Sequence, residues 1–123
     1  MVLFLLFSCK KEQDQKETHV KNLVEYLKKH EVDSTILSQP FFNEKFRSKG
    51  NPYNSYVFGL QQMRTYLINS DVYSLEVDND NSDIYILSTP ENPDSNRIFV
   101  LVRTNGIESF SPLLKGKKIV GWM

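Results

Sequence analysis

Cys9, the only cysteine of the chain, stands where an apolar N-terminal run ends. Seven of the first eight residues are apolar, and residues 10–17 contain no apolar side chain. A thiol is a good nucleophile, but a single cysteine excludes both an intrachain disulfide framework and a cysteine-based zinc site. A bilayer-spanning helix needs about 20 apolar residues, so this run is too short to cross a membrane. It is typical instead of the hydrophobic part of a secretion signal.

The ending Leu6-Phe7-Ser8-Cys9 resembles a bacterial lipobox, with an aliphatic residue three positions before the cysteine and a small residue just before it. The resemblance implies cleavage of residues 1–8 as a lipoprotein signal peptide, diacylglyceryl transfer to the Cys9 thiol and, usually, acylation of the new amino group; palmitate is the expected acyl chain. Several acyl chains anchor a protein durably, whereas one alone is marginal. The alternative is a frayed hydrophobic N-terminus with an incidental buried thiol.

We therefore expect a lipid-anchored protein of the cell envelope, on the periplasmic or outer-membrane face. Residues 9–17 would be the lipidated cysteine and a charged polar tether, and residues 18–123 a single domain. Eight extended residues of such a tether reach about 27 Å. The length of 123 residues fits one domain of this kind.

Neither the histidines nor the acidic residues form a metal-binding pattern. His19 and His30 are separated by about 16 Å along a helix, too far to share an ion. The stretch 78–82 begins like an EF-hand loop, but Asp83 stands at the glycine position and Thr89 at the bidentate glutamate position. We expect a polar β-turn there, and neither a metal ion nor any other cofactor.

Composition and motifs limit the function classes. Fifteen Lys and Arg balance fifteen Asp and Glu, so no basic field points to nucleic acid. The nucleophile, zinc-protease, phosphate-loop and dinucleotide motifs are missing, which leaves catalysis open but disfavoured. Lys115, Lys117 and Lys118 surround a turn; they are interpreted as solvated turn residues, with contact to anionic lipid or glycan as the alternative.

Three helices are predicted in the first half of the chain. Apolar residues at spacings of three and four predict a first helix over 17–31 and a third over 52–68, the latter with Asn51 as N-cap and Pro52 at its first helical position. Asp33 or Ser34 caps a short turn between them. A second helix is predicted over 39–49, where Pro40 fits the first turn and Gly50 the end.

From residue 71 the apolar period changes to two, which predicts strands. The strands are expected over 72–77, 83–88, 97–104, 107–112 and 118–123. Asn105-Gly106 predicts a type I′ hairpin turn. The result is an α+β domain, with three N-terminal helices packed on a C-terminal antiparallel five-strand meander. This order resembles the NTF2-like and cystatin-like α+β folds, in which helices pack on a curved sheet.

Two-residue turns at both C-terminal hairpins would pair Arg103 with Glu108 and Leu101 with Phe110. One sheet face then collects a core set, namely Ile98, Val100, Val102, Ile107, Val120 and Trp122. The other collects Ile119 and a candidate binding face of Phe99, Leu101, Arg103, Glu108 and Phe110, where aromatic groups adjoin a charge pair. The alternative is a surface ion pair, with Phe99 and Phe110 packed under a helix.

These features favour a module that binds a small ligand or another envelope protein. The alternatives are an enzyme that uses an NTF2-like pocket and an inhibitory or structural partner of an envelope protein. A deep polar pocket with an acid or base would favour the enzyme, and an apolar pocket would favour a ligand. A flat apolar face would favour a protein partner. The sequence leaves the oligomeric state open.

Overall fold

A computed structural model describes residues 2–44, 53–70, 72–89, 97–111, 114–115 and 118–119. The elements follow in the order α1 (Val2–Lys29), a 3₁₀ helix (Ser34–Ser38), α2 (Tyr53–Ile68), β1 (Ser74–Val77), β2 (Ile84–Ser88), β3 (Ile98–Arg103), β4 (Gly106–Ser111), β5 (Leu114–Lys115) and β6 (Lys118–Ile119). The first four strands form one antiparallel sheet in chain order, and β5 pairs with β6 in a separate two-stranded ladder. The α+β class holds.

The expected arrangement of three helices on a five-strand meander is wrong. The described residues contain two α-helices and a four-stranded sheet. The described part of the predicted fifth strand, Lys118–Ile119, pairs with Leu114–Lys115 and not with β4; residues 120–123 lie outside the described part of the chain. Ile119, expected on the outward face of that sheet, belongs to this separate ladder.

The helix predicted over 39–49 does not form over 39–43. Gln39 is extended, with φ −70° and ψ 149°, because the ring of a following proline disfavours the helical conformation. Phe42 instead makes a parallel β-bridge with Ile107. The Asn43 amide donates to the Ile107 carbonyl at 2.8 Å, and the Ile107 amide donates to Phe41 at 2.9 Å. These tertiary hydrogen bonds replace the local helical ones; residues 45–49 lie outside the described part of the chain.

Helix α1 is longer at its start than predicted and ends at Lys29 rather than at residue 31. Val20, Leu23, Val24 and Leu27 are all buried, as their helical spacing predicts. The segment 10–17, expected to be an extended tether, continues the same helix, and its Lys16 is buried. The contacts between α1 and the sheet therefore begin before residue 18.

The third predicted helix is confirmed as α2 over Tyr53–Ile68, and Asn51 and Pro52 lie outside the described residues. Its buried stripe contains Tyr56, Leu60, Met63 and Leu67. Helix α2 packs against α1 and the 3₁₀ helix, while α1 packs against β3 and β4. The buried residues of both helices, the 3₁₀ helix and the sheet form one core.

The short capped turn is also confirmed. Asp33 is the N-cap of the 3₁₀ helix, and its carboxylate accepts from the Thr35 amide at 2.9 Å and the Thr35 hydroxyl at 2.6 Å. The hydroxyl bond, followed by the amide bond, lowers the pKa of Asp33 below its ordinary value.

The β3–β4 turn differs from the predicted type I′ form. Thr104 and Asn105 make the two-residue loop, and Gly106 is the first residue of β4, opposite Arg103. Gly106 has φ +129°, and no other described residue apart from glycine has positive φ. A type I′ turn requires positive φ at two consecutive residues, so the Asn105-Gly106 assignment is wrong.

Candidate functional site

The outward face of the sheet carries four apolar side chains at its centre. Ile84 is paired with Leu101, and Ile86 with Phe99. Residues directly opposite each other on antiparallel strands share a face, with their Cβ atoms about 5 Å apart. All four side chains are half-buried, whereas their neighbours Ile98 and Val100 point into the core. We call these four residues, Ile84, Ile86, Phe99 and Leu101, the outward apolar quartet.

Phe110 does not belong to this face, contrary to the expectation. The strand register shifts between Leu101 and Val102, so Val100 faces Phe110 and Leu101 faces Ser109. Because opposite residues share a face, Phe110 points into the core with Val100, and it is fully buried there. The predicted cross-strand pairs Leu101–Phe110 and Arg103–Glu108 are therefore wrong.

The core assignment of the inner face is confirmed for the described residues. Ile98, Val100, Val102 and Ile107 are buried at 1% exposure or less. The other two members of the predicted core set, Val120 and Trp122, lie outside the described residues.

Arg103 and Glu108 are close in space although they are not cross-strand partners. Arg103 Nε lies 3.4 Å from Glu108 Oε2, and Arg103 Nη1 also contacts Asp83 Oδ2. Asp83 Oδ1 in turn binds Lys16 Nζ at 2.6 Å. Four charges of alternating sign thus link α1, the connection before β2 and both strands of the last hairpin. The pairing of Lys16 with Asp83 could not be predicted from the sequence, because nothing local relates two residues that are 67 positions apart.

The N-terminal half of α1 lies against one end of the sheet. Gln13 Nε2 donates to the Ser82 carbonyl at 3.3 Å and also to the Tyr85 hydroxyl. The Tyr85 hydroxyl donates back to the Gln13 carbonyl at 3.0 Å. Farther along the helix, His19 Nε2 is 2.9 Å from the Thr104 carbonyl. The charged segment 10–17 is therefore attached to the domain at two points, Gln13 and Lys16, and His19 adds a third contact just after it.

The connection between β1 and β2, at this end of the sheet, is polar. Asp78 Oδ2 accepts from the amides of Asp80 and Asn81 at 3.1 and 3.0 Å, as expected for a polar turn.

An open surface groove of about 440 Å³ lies between α1 and the β3–β4 turn. Its lining consists of Lys11, Asp14, Gln15, Thr18, His19 and Thr104.

The buried Tyr85 hydroxyl, which contacts Gln13, makes the stability of the fold depend on pH. Burial raises the pKa of its phenol above the ordinary 10.0, and the hydrogen bond from Gln13 partly offsets that rise. The unfolded chain then loses this proton at a lower pH than the folded protein does. We expect stability to fall as pH rises above about 10. Tyr85→Phe should flatten that fall in urea unfolding between pH 9 and 12, and an unchanged slope would contradict the assignment.

Arg103, Glu108, Asp83 and Lys16 pair with one another in one network of alternating charge. Within the described ranges, no three His, Cys, Asp or Glu residues gather as metal ligands would. The searched part of the chain also contains no helix that is long and apolar enough to cross a membrane.

Cys9 lies within the helical backbone of α1, four residues before Gln13. Its acylation stays a prediction of the sequence. Comparison of the chain with family models, curated proteins and solved structures finds no match in any of the three.

Proposed function

We propose that the protein is a lipid-anchored component of the bacterial cell envelope, and that its domain binds an envelope protein through the outward face of the sheet. The anchor is proposed from the apolar run that ends at Ser8-Cys9. The outward apolar quartet is the observation that carries the binding role.

The quartet supports a protein partner for two reasons. A continuous group of four half-buried apolar side chains is bordered by charged Arg103 and Glu108 at one end and by the buried Ser111 opposite Phe99; an apolar centre with polar edges is typical of a protein interface. The groove between α1 and the β3–β4 turn is open to solvent, and none of the quartet residues lines it. A small-ligand site encloses most of the ligand surface, which an open groove does not, so the protein partner is favoured over a small ligand.

The anchor is tested by Cys9→Ser in cells fed labelled palmitate. The serine hydroxyl is not the thiol that receives the diacylglyceryl group, so the variant should lose the label and accumulate uncleaved. Ser8→Ala keeps a small residue before the cysteine and should retain the label. Persistent labelling of Cys9→Ser would contradict the lipoprotein assignment.

The binding face is tested by a photoreactive residue placed at Leu101 in cells, with the same residue at Asn22 on the exposed side of α1 as the matched control. We expect position 101 to give one discrete cross-linked species, identified by mass spectrometry, that position 22 does not give. Ile86→Glu should abolish it, since a carboxylate in the quartet must be desolvated on binding. Equal cross-linking from positions 101 and 22 would contradict the proposal that the quartet binds the partner. A cross-linked species of twice the chain mass would show that the partner is a second copy of this chain.

A further inference from the structure

The sheet has one end at which α1 enters the domain. This end, called the turn end, consists of the β1–β2 connection (residues 78–83) and the β3–β4 turn (residues 104–105). Helix α1 contacts it through Gln13, Lys16 and His19. Toward its C-terminus the same helix reaches the opposite end of β1, where Lys28 Nζ lies 5.8 Å from the centre of the Tyr73 ring. Helix α1 therefore runs from the turn end to the opposite end, and its N-terminus projects beyond the turn end.

Cys9 is close to the turn end because the helix between them is short. It precedes Gln13 by four residues within α1, and four helical residues rise only about 6 Å. An extended tether over residues 10–17 would instead span about 27 Å. The anchoring residue and the folded domain are thus joined by about one turn of continuous helix.

We infer that the turn end of the domain rests on the lipid surface and that the domain is docked on the membrane instead of swinging from a tether. This inference rests on the proposed acylation of Cys9, because the acyl chains hold that residue at the headgroup level. With the contacts of Gln13 and Lys16 in place, the domain has little freedom to turn away from the bilayer.

The charges at the turn end specify the kind of lipid. Lys11 lines the groove beside the anchor and attracts phosphate groups, whereas Asp14 in the same groove repels them. Asp78 and Asp80 lie on the β1–β2 connection and repel an anionic surface. The turn end therefore faces a bilayer surface dominated by zwitterionic headgroups, such as those of phosphatidylethanolamine and phosphatidylcholine.

Docking also fixes where the partner-binding face stands. The 20 residues from Cys9 to Lys29 rise about 30 Å along α1, so Glu31 lies at the end of the helix that is remote from the anchor. The outward apolar quartet lies between the turn end and the opposite end of the domain, so it faces along the membrane plane and not into the bilayer. A partner protein anchored in the same membrane can therefore contact the quartet while the turn end stays on the lipid surface.

The test uses the acylated chain in vesicles of phosphatidylethanolamine and phosphatidylcholine that contain a headgroup nitroxide lipid. A fluorophore is attached to Asn79→Cys at the turn end or to Glu31→Cys at the far end; both native residues are exposed. We expect the label at position 79 to lose most of its fluorescence and the label at position 31 to lose none. A ten-residue Gly-Ser insertion after Lys11 keeps the anchor and should remove the difference.

Equal quenching at positions 79 and 31 in the unmodified chain would overturn docking, and so would a difference that survives the Gly-Ser insertion. Either result leaves the lipoprotein assignment standing if the protein carries palmitate. A chain without acyl groups at Cys9 would instead overturn the proposed anchor, and the docking inference with it.

Discussion

Replacing Gly106 with valine is expected to lower the free energy of unfolding by roughly 3–5 kcal/mol, from backbone strain together with overpacking. Gly106 has φ +129°, a conformation that a β-branched residue rarely adopts. A β-carbon there would lie 2.6 Å from the Asn43 amide nitrogen and 2.8 Å from the Phe42 carbonyl carbon. Both are backbone atoms next to the hydrogen bonds with Ile107, so neither moves aside cheaply.

Urea unfolding of Gly106→Val checks this prediction, and Thr104→Ala in the same turn is the control. Thr104 is exposed and has no positive φ, so its replacement should change stability by less than about 0.5 kcal/mol. Equal stability of the two variants would mean that the Phe42–Asn43 segment does not approach β4 as described.

Asp83→Ala is expected to lower the free energy of unfolding by about 2–3 kcal/mol, somewhat less than for a fully buried ion pair. The side chains of Lys16 and Asp83 are 10% and 21% exposed and approach to 2.6 Å. Removal of the carboxylate leaves the Lys16 ammonium without its partner, whereas Arg103 keeps its contact with Glu108. Asp80→Ala, on the exposed part of the same connection, should change stability by less than about 0.5 kcal/mol.

A double-mutant cycle shows whether the loss belongs to this pair. Lys16→Met removes the charge but keeps an apolar chain at the buried position, so Asp83→Ala should cost much less in that background. We expect a coupling energy of about 1–2 kcal/mol from urea unfolding. Additive effects would mean that Lys16 and Asp83 do not stabilise the fold as a pair.

The elements that depend on local pattern were predictable from the sequence. The buried stripes of α1 and α2 follow the spacing of their apolar residues, and β1 to β4 lie where the alternation begins. The Asp33 cap needs only its own side chain and the amide two residues later. Each of these features is set by residues within one or two helical turns.

The features that failed depend on residues far apart in the chain. Nothing in 39–43 reveals that Phe42 pairs with Ile107, and nothing near Gly106 reveals that the Phe42–Asn43 backbone lies against it. This long-range approach accompanies a register shift in the last hairpin, which turned Phe110 into the core and removed it from the expected binding face. Lys16 looked like part of a solvated tether for the same reason, since Asp83 is 67 positions away.

The central claim, that Cys9 anchors this domain to the membrane, is tested most directly by the intact mass of the protein extracted from the membrane fraction. We predict a chain that begins at Cys9 and carries a diacylglyceryl group on its thiol and an acyl group on its amino terminus. A membrane-fraction chain that retains residues 1–8 and an unmodified thiol would contradict the account.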